Sequence, residues 1–163
     1  MNDSSTSDPK RELLRHGLAT VAYRGGKAVR NVTENFAAFQ AAGAARTPVS
    51  ILAHIGDLMD WGLSMANGKR EWHESKPLPW IEEVERFFLS LTRFDYFLAA
   101  SEPLQAPPER LLQGPIADAL THVGQIAILR RLAGEPMKGE NYYKAEITAG
   151  RVGANQAQPK LEF

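Results

Sequence analysis

The chain has 163 residues, 44% of them hydrophobic, enough for one sizeable core and too few for two ordinary domains. Lysine plus arginine (19) equals aspartate plus glutamate (19), so no basic field is available to hold a nucleic-acid backbone, and nucleic acid is excluded as an expected partner. The absence of cysteine removes disulfides, thiolate catalysis and thiolate metal ligands together, so any bound metal must be held by nitrogen and oxygen.

Residues 1–8, MNDSSTSD, are small and polar and are expected to be disordered. They lack the basic-then-apolar pattern of a signal peptide, and no run approaches the roughly 18 apolar residues of a membrane span, so a cytoplasmic protein without a membrane partner is expected. Asp8-Pro9 supplies a capping carboxylate and a first-turn proline, and a first helix carrying Leu13, Leu14, Leu18, Val21 and Val29 should start there. Gly25-Gly26 is expected to bend or end that helix. A helical turn over 33–40 leads into the Ala/Gly-rich connector 41–46. Thr47-Pro48 repeats the start signal and opens a second helix to about Ala66, closed by Asn67-Gly68. After a charged, proline-containing loop over 69–79, Trp80, Ile81, Val84, Phe87, Phe88, Leu91, Phe94 and Leu98 recur at three- and four-residue steps, predicting a third amphipathic helix. Pro103, Pro107 and Pro108 interrupt the chain, Gly114-Pro115 marks a fresh start, and a fourth helix is predicted over 115–133, stopped by Gly134 and Pro136. No alternating segment competes, and the prediction is an all-α four-helix bundle over 9–136. Residues 137–163 show little periodicity. Tyr142, Tyr143, Ile147, Leu161 and Phe163 are the apolar anchors expected to lay this C-terminal extension on the bundle or on a partner subunit.

Three polar residues carry the chemistry. Asp118 and His122 stand four residues apart, hence on one face of the fourth helix, about one turn from each other. At about 100° per residue, Asp118, His122, Gln125, Leu129 and Leu132 share a stripe about 80° wide that is expected to be the buried one, and His54, Leu58, Trp61 and Met65 share a similar stripe on the second helix. Burying a carboxylate and two imidazoles needs compensation, either by a metal ion or by a hydrogen-bond and salt-bridge network. A salt-bridged core would show the same spacing. His16 and His73 are weaker candidates, Asp57 is expected to be solvated on the helix surface, the tryptophans are expected in core or cleft, and Gln125 is placed to orient a ligand or face a substrate.

With these residues placed, the chain resembles the DinB-like family of metal-binding four-helix bundles. The likeness is carried by Arg46-Thr-Pro-Val-Ser-Ile-Leu-Ala-His54-Ile-Gly-Asp-Leu and by Ala117-Asp-Ala-Leu-Thr-His122-Val-Gly-Gln125-Ile-Ala-Ile-Leu-Arg-Arg-Leu-Ala-Gly134, within most of residues 11–135. The tail from Glu140 to Gly150 looks like the extension of one subgroup. In that family a histidine near the start of the second helix and a pair at i, i+4 on the fourth bind a divalent metal, the last of them shortly before Gly-Gln. The resemblance implies His54 and His122 as ligands, with Asp118 standing where the family more often has histidine. Two histidines and a carboxylate form a triad competent for zinc, nickel, iron or manganese, with preference shifted toward the harder metals.

Known activities of the family include thiol-dependent transferases and isomerases that use low-molecular-weight thiols, and many members are described as metal-dependent hydrolases. The resemblance therefore implies a metal-dependent enzyme that activates water or a low-molecular-weight thiol against a small-molecule substrate. A non-catalytic metal-binding, small-molecule-binding or interaction module is the alternative. Leu120, Val123 and Ala127 lie opposite Asp118 and His122, so that face is expected either to be central in the bundle or to meet a second subunit, with a homodimer preferred.

Overall fold

In the computed structural model, residues 8–43 and 45–163 are described, and among them the regular structure is helical, with one isolated bridge between Glu140 and Glu162. The disorder expected of 1–8 falls mostly outside the described residues, and Asp8 itself caps a helix. Four long helices build the protein: α1 (Pro9–Val29), α2 (Pro48–Ala66), α3 (Trp80–Ala99) and α4 (Ala117–Leu132). A 3-10 turn (Glu34–Ala38) lies between α1 and α2.

The starts of α1 and α2 follow from capping. Asp8 Oδ1 accepts the Lys10 N–H at 3.0 Å, and Thr47 Oγ1 accepts the Ser50 N–H at 3.3 Å, each just ahead of a first-turn proline that has no N–H to leave unsatisfied. Two C-terminal ends are closed by arginines from distant parts of the chain. Arg130 Nη1 donates to the carbonyls of Lys27, Ala28 and Arg30 at the end of α1, and Arg11 Nη1 donates to those of Phe97, Leu98 and Ala100 at the end of α3. Each guanidinium satisfies carbonyls that have no partner within their helix and sits at the negative end of its dipole.

Of the two outcomes expected at Gly25-Gly26, an end is not found: α1 continues unbroken through both to Val29. A Cβ on Gly25 would lie 2.6 Å from Phe87 Cζ, and one on Gly26 would lie 3.4 Å from Phe88 Cζ. The glycines let α1 approach α3 closely. Phe87 is fully buried and has nowhere to retreat. Gly25→Ala therefore gains roughly 1 kcal/mol of helix propensity but overpacks the interface, and we expect a net loss of about 1–3 kcal/mol in urea unfolding. A neutral or stabilising result would mean that the two helices can move apart.

The entry to α4 also differs from the prediction. The helix begins earlier, with one turn at Pro108–Leu111, and passes through a π-helical turn at Leu112–Ile116 that contains Pro115. Proline within a helix lacks a donor and crowds the carbonyl four residues back; the wider turn accommodates it, so Pro115 marks a widening where a start was expected.

Leu18, Leu52, Ile55, Met59, Phe87, Leu91, Phe94, Ile116 and Ile126 form the centre of the core, none more than 1% exposed. On α4 the buried side is Ala119, Val123, Ile126, Leu129 and Arg130, so the stripe expected to be buried is rotated: Gln125 is exposed and Leu132 is 60% exposed. Val123, on the opposite face, belongs to the core, with Leu120 packed beside it. Apolar residues are spread almost evenly around α4, and periodicity had no single side to select. Asp118 and His122 consequently sit at the rim of the α2–α4 groove.

Residues 137–163 lie along α1 of the same chain, held by polar anchors and by Val152, which is buried in the core. Tyr23 Oη donates to Glu140 Oε1 at 2.5 Å, and Lys27 Nζ reaches Glu140 and Glu162, each at 2.8 Å. Burial, reinforced by the Glu140 carboxylate, pushes the Tyr23 phenol up. Tyr142 packs against Tyr23 and under Arg24, and Ile147 touches the core, whereas Tyr143 and Phe163 project into solvent. None of the described helices is long and apolar enough to cross a membrane.

Candidate metal centre

Packing of α2 against α4 brings His54, Asp118 and His122 together. One ligand atom from each lies within 4.8 Å of the others, and all three residues are partly buried. The two imidazole centroids are 4.7 Å apart, their planes tilted by 57°. Ligands around one zinc ion at about 2.1 Å stand about 3.4 Å apart in a tetrahedron, so side-chain rotations of about an ångström would gather these three.

The orientation of His122 follows from its contacts. Its Nδ1 lies 2.8 Å from the Asp118 carbonyl oxygen, which can only accept, so Nδ1 carries the proton and donates, leaving the Nε2 lone pair for a metal. Asp118 Oδ1 is 3.3 Å from the same nitrogen, and its side chain is 46% exposed. That carboxylate thus sits between two roles, steadying the imidazole or turning toward an ion. For His54, burial lowers the pKa, His122 and Arg46 push the same way, and Asp118 and Asp57 oppose them. The outcome is a neutral imidazole near pH 7, the form that ligates metals.

Two aromatic rings wall the site. Trp72, from the loop 69–79, stands edge-on to His54 with centroids 5.7 Å apart, and Trp61 of α2 stands edge-on to Trp72 at 6.0 Å. A cavity of about 160 Å³ opens on another side of His54, bordered by Arg46, Ser50, Asp57 and Glu74. Gln125 lies outside that cavity and borders another, of about 320 Å³, with Arg46, Ile51 and Ile128.

A second cluster was not anticipated. Asp57, Asp60 and His73 also place ligand atoms within 4.8 Å of one another. Asp57, expected on the solvated surface, is 1% exposed: it accepts from Ser75 N at 2.9 Å, Ser75 Oγ at 2.7 Å and the Arg86 guanidinium, while His73 Nε2 lies 3.1 Å away. Arg86 also donates to Glu83 and to the Ala53 carbonyl, and Arg93 pairs with Asp60 at 2.9 Å. The partners that bury Asp57 come from α3 and from a loop folded back on α2. No spacing within α2 could announce them. His16, the other weak candidate, is exposed on α1 and joins neither cluster.

Charge separates the two clusters. Arg86 and Arg93 already occupy the carboxylates of the second, so an incoming cation would have to displace a guanidinium held in a buried network. Among the described residues, the Asp118 carboxylate is paired with no arginine or lysine. The first cluster is the better metal centre.

Burial alone would raise the Asp57 carboxyl, but the hydrogen bonds from Ser75 and Arg86 outweigh it and hold the group below its ordinary value of 3.8. A depressed folded-state pKa contributes stability above 3.8 that is lost as pH falls through the lower folded value. Urea midpoints should therefore drop from pH 5 to pH 3, and Asp57→Asn should flatten that drop. An unchanged slope in the variant would place the acid sensitivity elsewhere.

Compared with protein-family models, with curated proteins and with solved structures, the chain has no match. What the fold and site define is, among the described residues, a helical protein with four long helices and a group of residues able to hold a metal ion between two of them.

Proposed function

We propose that this chain is a DinB-like, divalent-metal-dependent enzyme in which His54, Asp118 and His122 hold the ion and activate water or a low-molecular-weight thiol for attack on a small-molecule substrate. The observation that carries the reading is the convergence of two imidazoles and a carboxylate from α2 and α4 within 4.8 Å, with no basic side chain paired to that carboxylate among the described residues. Three nitrogen and oxygen donors leave coordination positions open, and the neutral state of His54 suits it to ligation. A bound divalent ion would act there as a Lewis acid, lowering the pKa of a water or thiol toward neutrality. The Asp118 carbonyl fixes the His122 ring, and Trp72, itself backed by Trp61, packs edge-on against His54. The cavity beside His54 is bordered by neither Asp118 nor His122, so catalysis is favoured over a closed structural centre by the donor count alone, three protein donors leaving a position for a reactant.

Metal analysis of tag-free protein should give close to one equivalent of a transition metal for the wild type and almost none for His122→Ala. Equal content in the two would sink the proposal. Assay of the loaded protein with an activated ester, and separately with a thiol plus an electrophile, distinguishes hydrolysis from thiol transfer.

A further inference from the structure

A third cavity, of about 350 Å³, lies between the C-terminal half of α2 and the turns that lead into α4. Trp61, seven residues after His54 and hence about 10 Å further along α2, borders it, as does Gly114, one turn before Asp118. Trp61 also stands edge-on to Trp72, which stands edge-on to His54, so a relay of three rings links the cavity to the metal centre.

The cavity is apolar within and cationic at its mouth. Trp61, Met65, Leu111 and Pro115 line the interior, Leu111 being 1% exposed, and the π-helical turn that carries Pro115 is part of the wall. Arg70 and Arg110 stand exposed at the rim, and no carboxylate pairs with either among the described residues. Arg70 has a φ of 56°, in the left-handed region that non-glycine residues seldom adopt, and its N–H donates to the Ser64 carbonyl at 3.1 Å. The root of that side chain is thereby pinned at the mouth. No acidic residue lines the cavity.

We infer that this cavity binds a small aromatic carboxylate, its ring against Trp61 and the apolar interior and its carboxylate held by Arg70 and Arg110. The volume is near the lower end for ligand pockets and suits one or two fused rings, a guanidinium fork matches a carboxylate, and the indole offers a stacking or edge-on partner. Only the further step, that this ligand is the substrate, rests on the metal-enzyme reading; binding itself does not.

Calorimetric titration of the full-length protein, stripped of metal by a chelator, with naphthoate and with uncharged naphthamide tests the assignment. Naphthoate should bind one to one and at least about tenfold more tightly than naphthamide, and Arg70→Gln and Arg110→Gln should each weaken naphthoate by about tenfold while leaving naphthamide unchanged. Both arginines are exposed, so the urea midpoints of the variants should match the wild type and report intact folding. Equal affinity for acid and amide, no saturable binding of naphthoate, or undiminished binding in both arginine variants would overturn the inference. Because the protein is metal-free, any of those results leaves the metal proposal standing, and naphthoate binding that persists in His122→Ala would keep this inference if the metal proposal failed.

Discussion

Zinc, nickel or manganese added to metal-free protein at about one hundred times its dissociation constant should raise the thermal midpoint by about 5–10 °C. That range follows because such a ligand stabilises the folded state by about 2.7 kcal/mol, and each kcal/mol moves the midpoint of a chain this size by about 2–4 °C. His54→Ala and His122→Ala should abolish the shift, since each leaves two donors where three are needed to hold an ion against water. Asp118→Ala should shrink it, and Asp118→His should restore it, because an imidazole on that turn can also face the ion. The pH dependence follows from His54. Burial and the neighbouring His122 hold it below its ordinary 6.5, so proton competition at this ligand sets in only at lower pH, and the metal-induced shift should persist at pH 6.5 and fade below it. A shift that survived both histidine substitutions would move the ion to Asp57, Asp60 and His73.

Arg86→Met is expected to be the most destabilising single change, at about 3–5 kcal/mol in urea unfolding. It leaves Asp57, 1% exposed, and Glu83, fully buried, without the cation they share, and it removes the donor that closes the Ala53 carbonyl. Arg93→Met, whose side chain is 49% exposed over Asp60, should cost no more than about 1 kcal/mol. The contrast isolates burial as the cause, because both arginines pair with α2 carboxylates from the same helix, about two turns apart on α3. Two small and similar losses would mean that water reaches Asp57 once Arg86 is gone. Loss of Arg86 should also loosen the loop 69–79, which is tied down through Ser75 and His73, and hence raise the exposure of Trp72 beside His54.

The parts of this fold that were legible in the sequence rest on interactions within a few residues. Thr47-Pro48 opens α2 because hydroxyl, proline and amide lie within one turn, and the aromatic spacing from Trp80 to Leu98 marks α3 because one face repeats without interruption. The pairing of Asp118 with His122 is of the same kind. Features set by distant partners were hidden or misread. Gly25 reads locally as a bend or an end because Phe87, the ring it makes room for, lies 62 positions later. Asp57 reads locally as a solvated residue because its partners are the distant Ser75 and Arg86, and His73 joins it only through the folding of a loop. The side of α4 that faces the core could not be chosen from periodicity, and so Asp118 was placed deeper than it lies. At the site this matters in one way: Asp118 is a rim carboxylate, half-exposed, beside the His122 imidazole, whose side chain is only 12% exposed.

Anomalous diffraction from crystals grown with a single divalent transition metal tests the central claim most directly. The account predicts one strong peak within about 2.0–2.2 Å of His54 and His122 nitrogens and of an Asp118 oxygen. A peak among Asp57, Asp60 and His73, or none in crystals whose solution holds metal in excess, would contradict it.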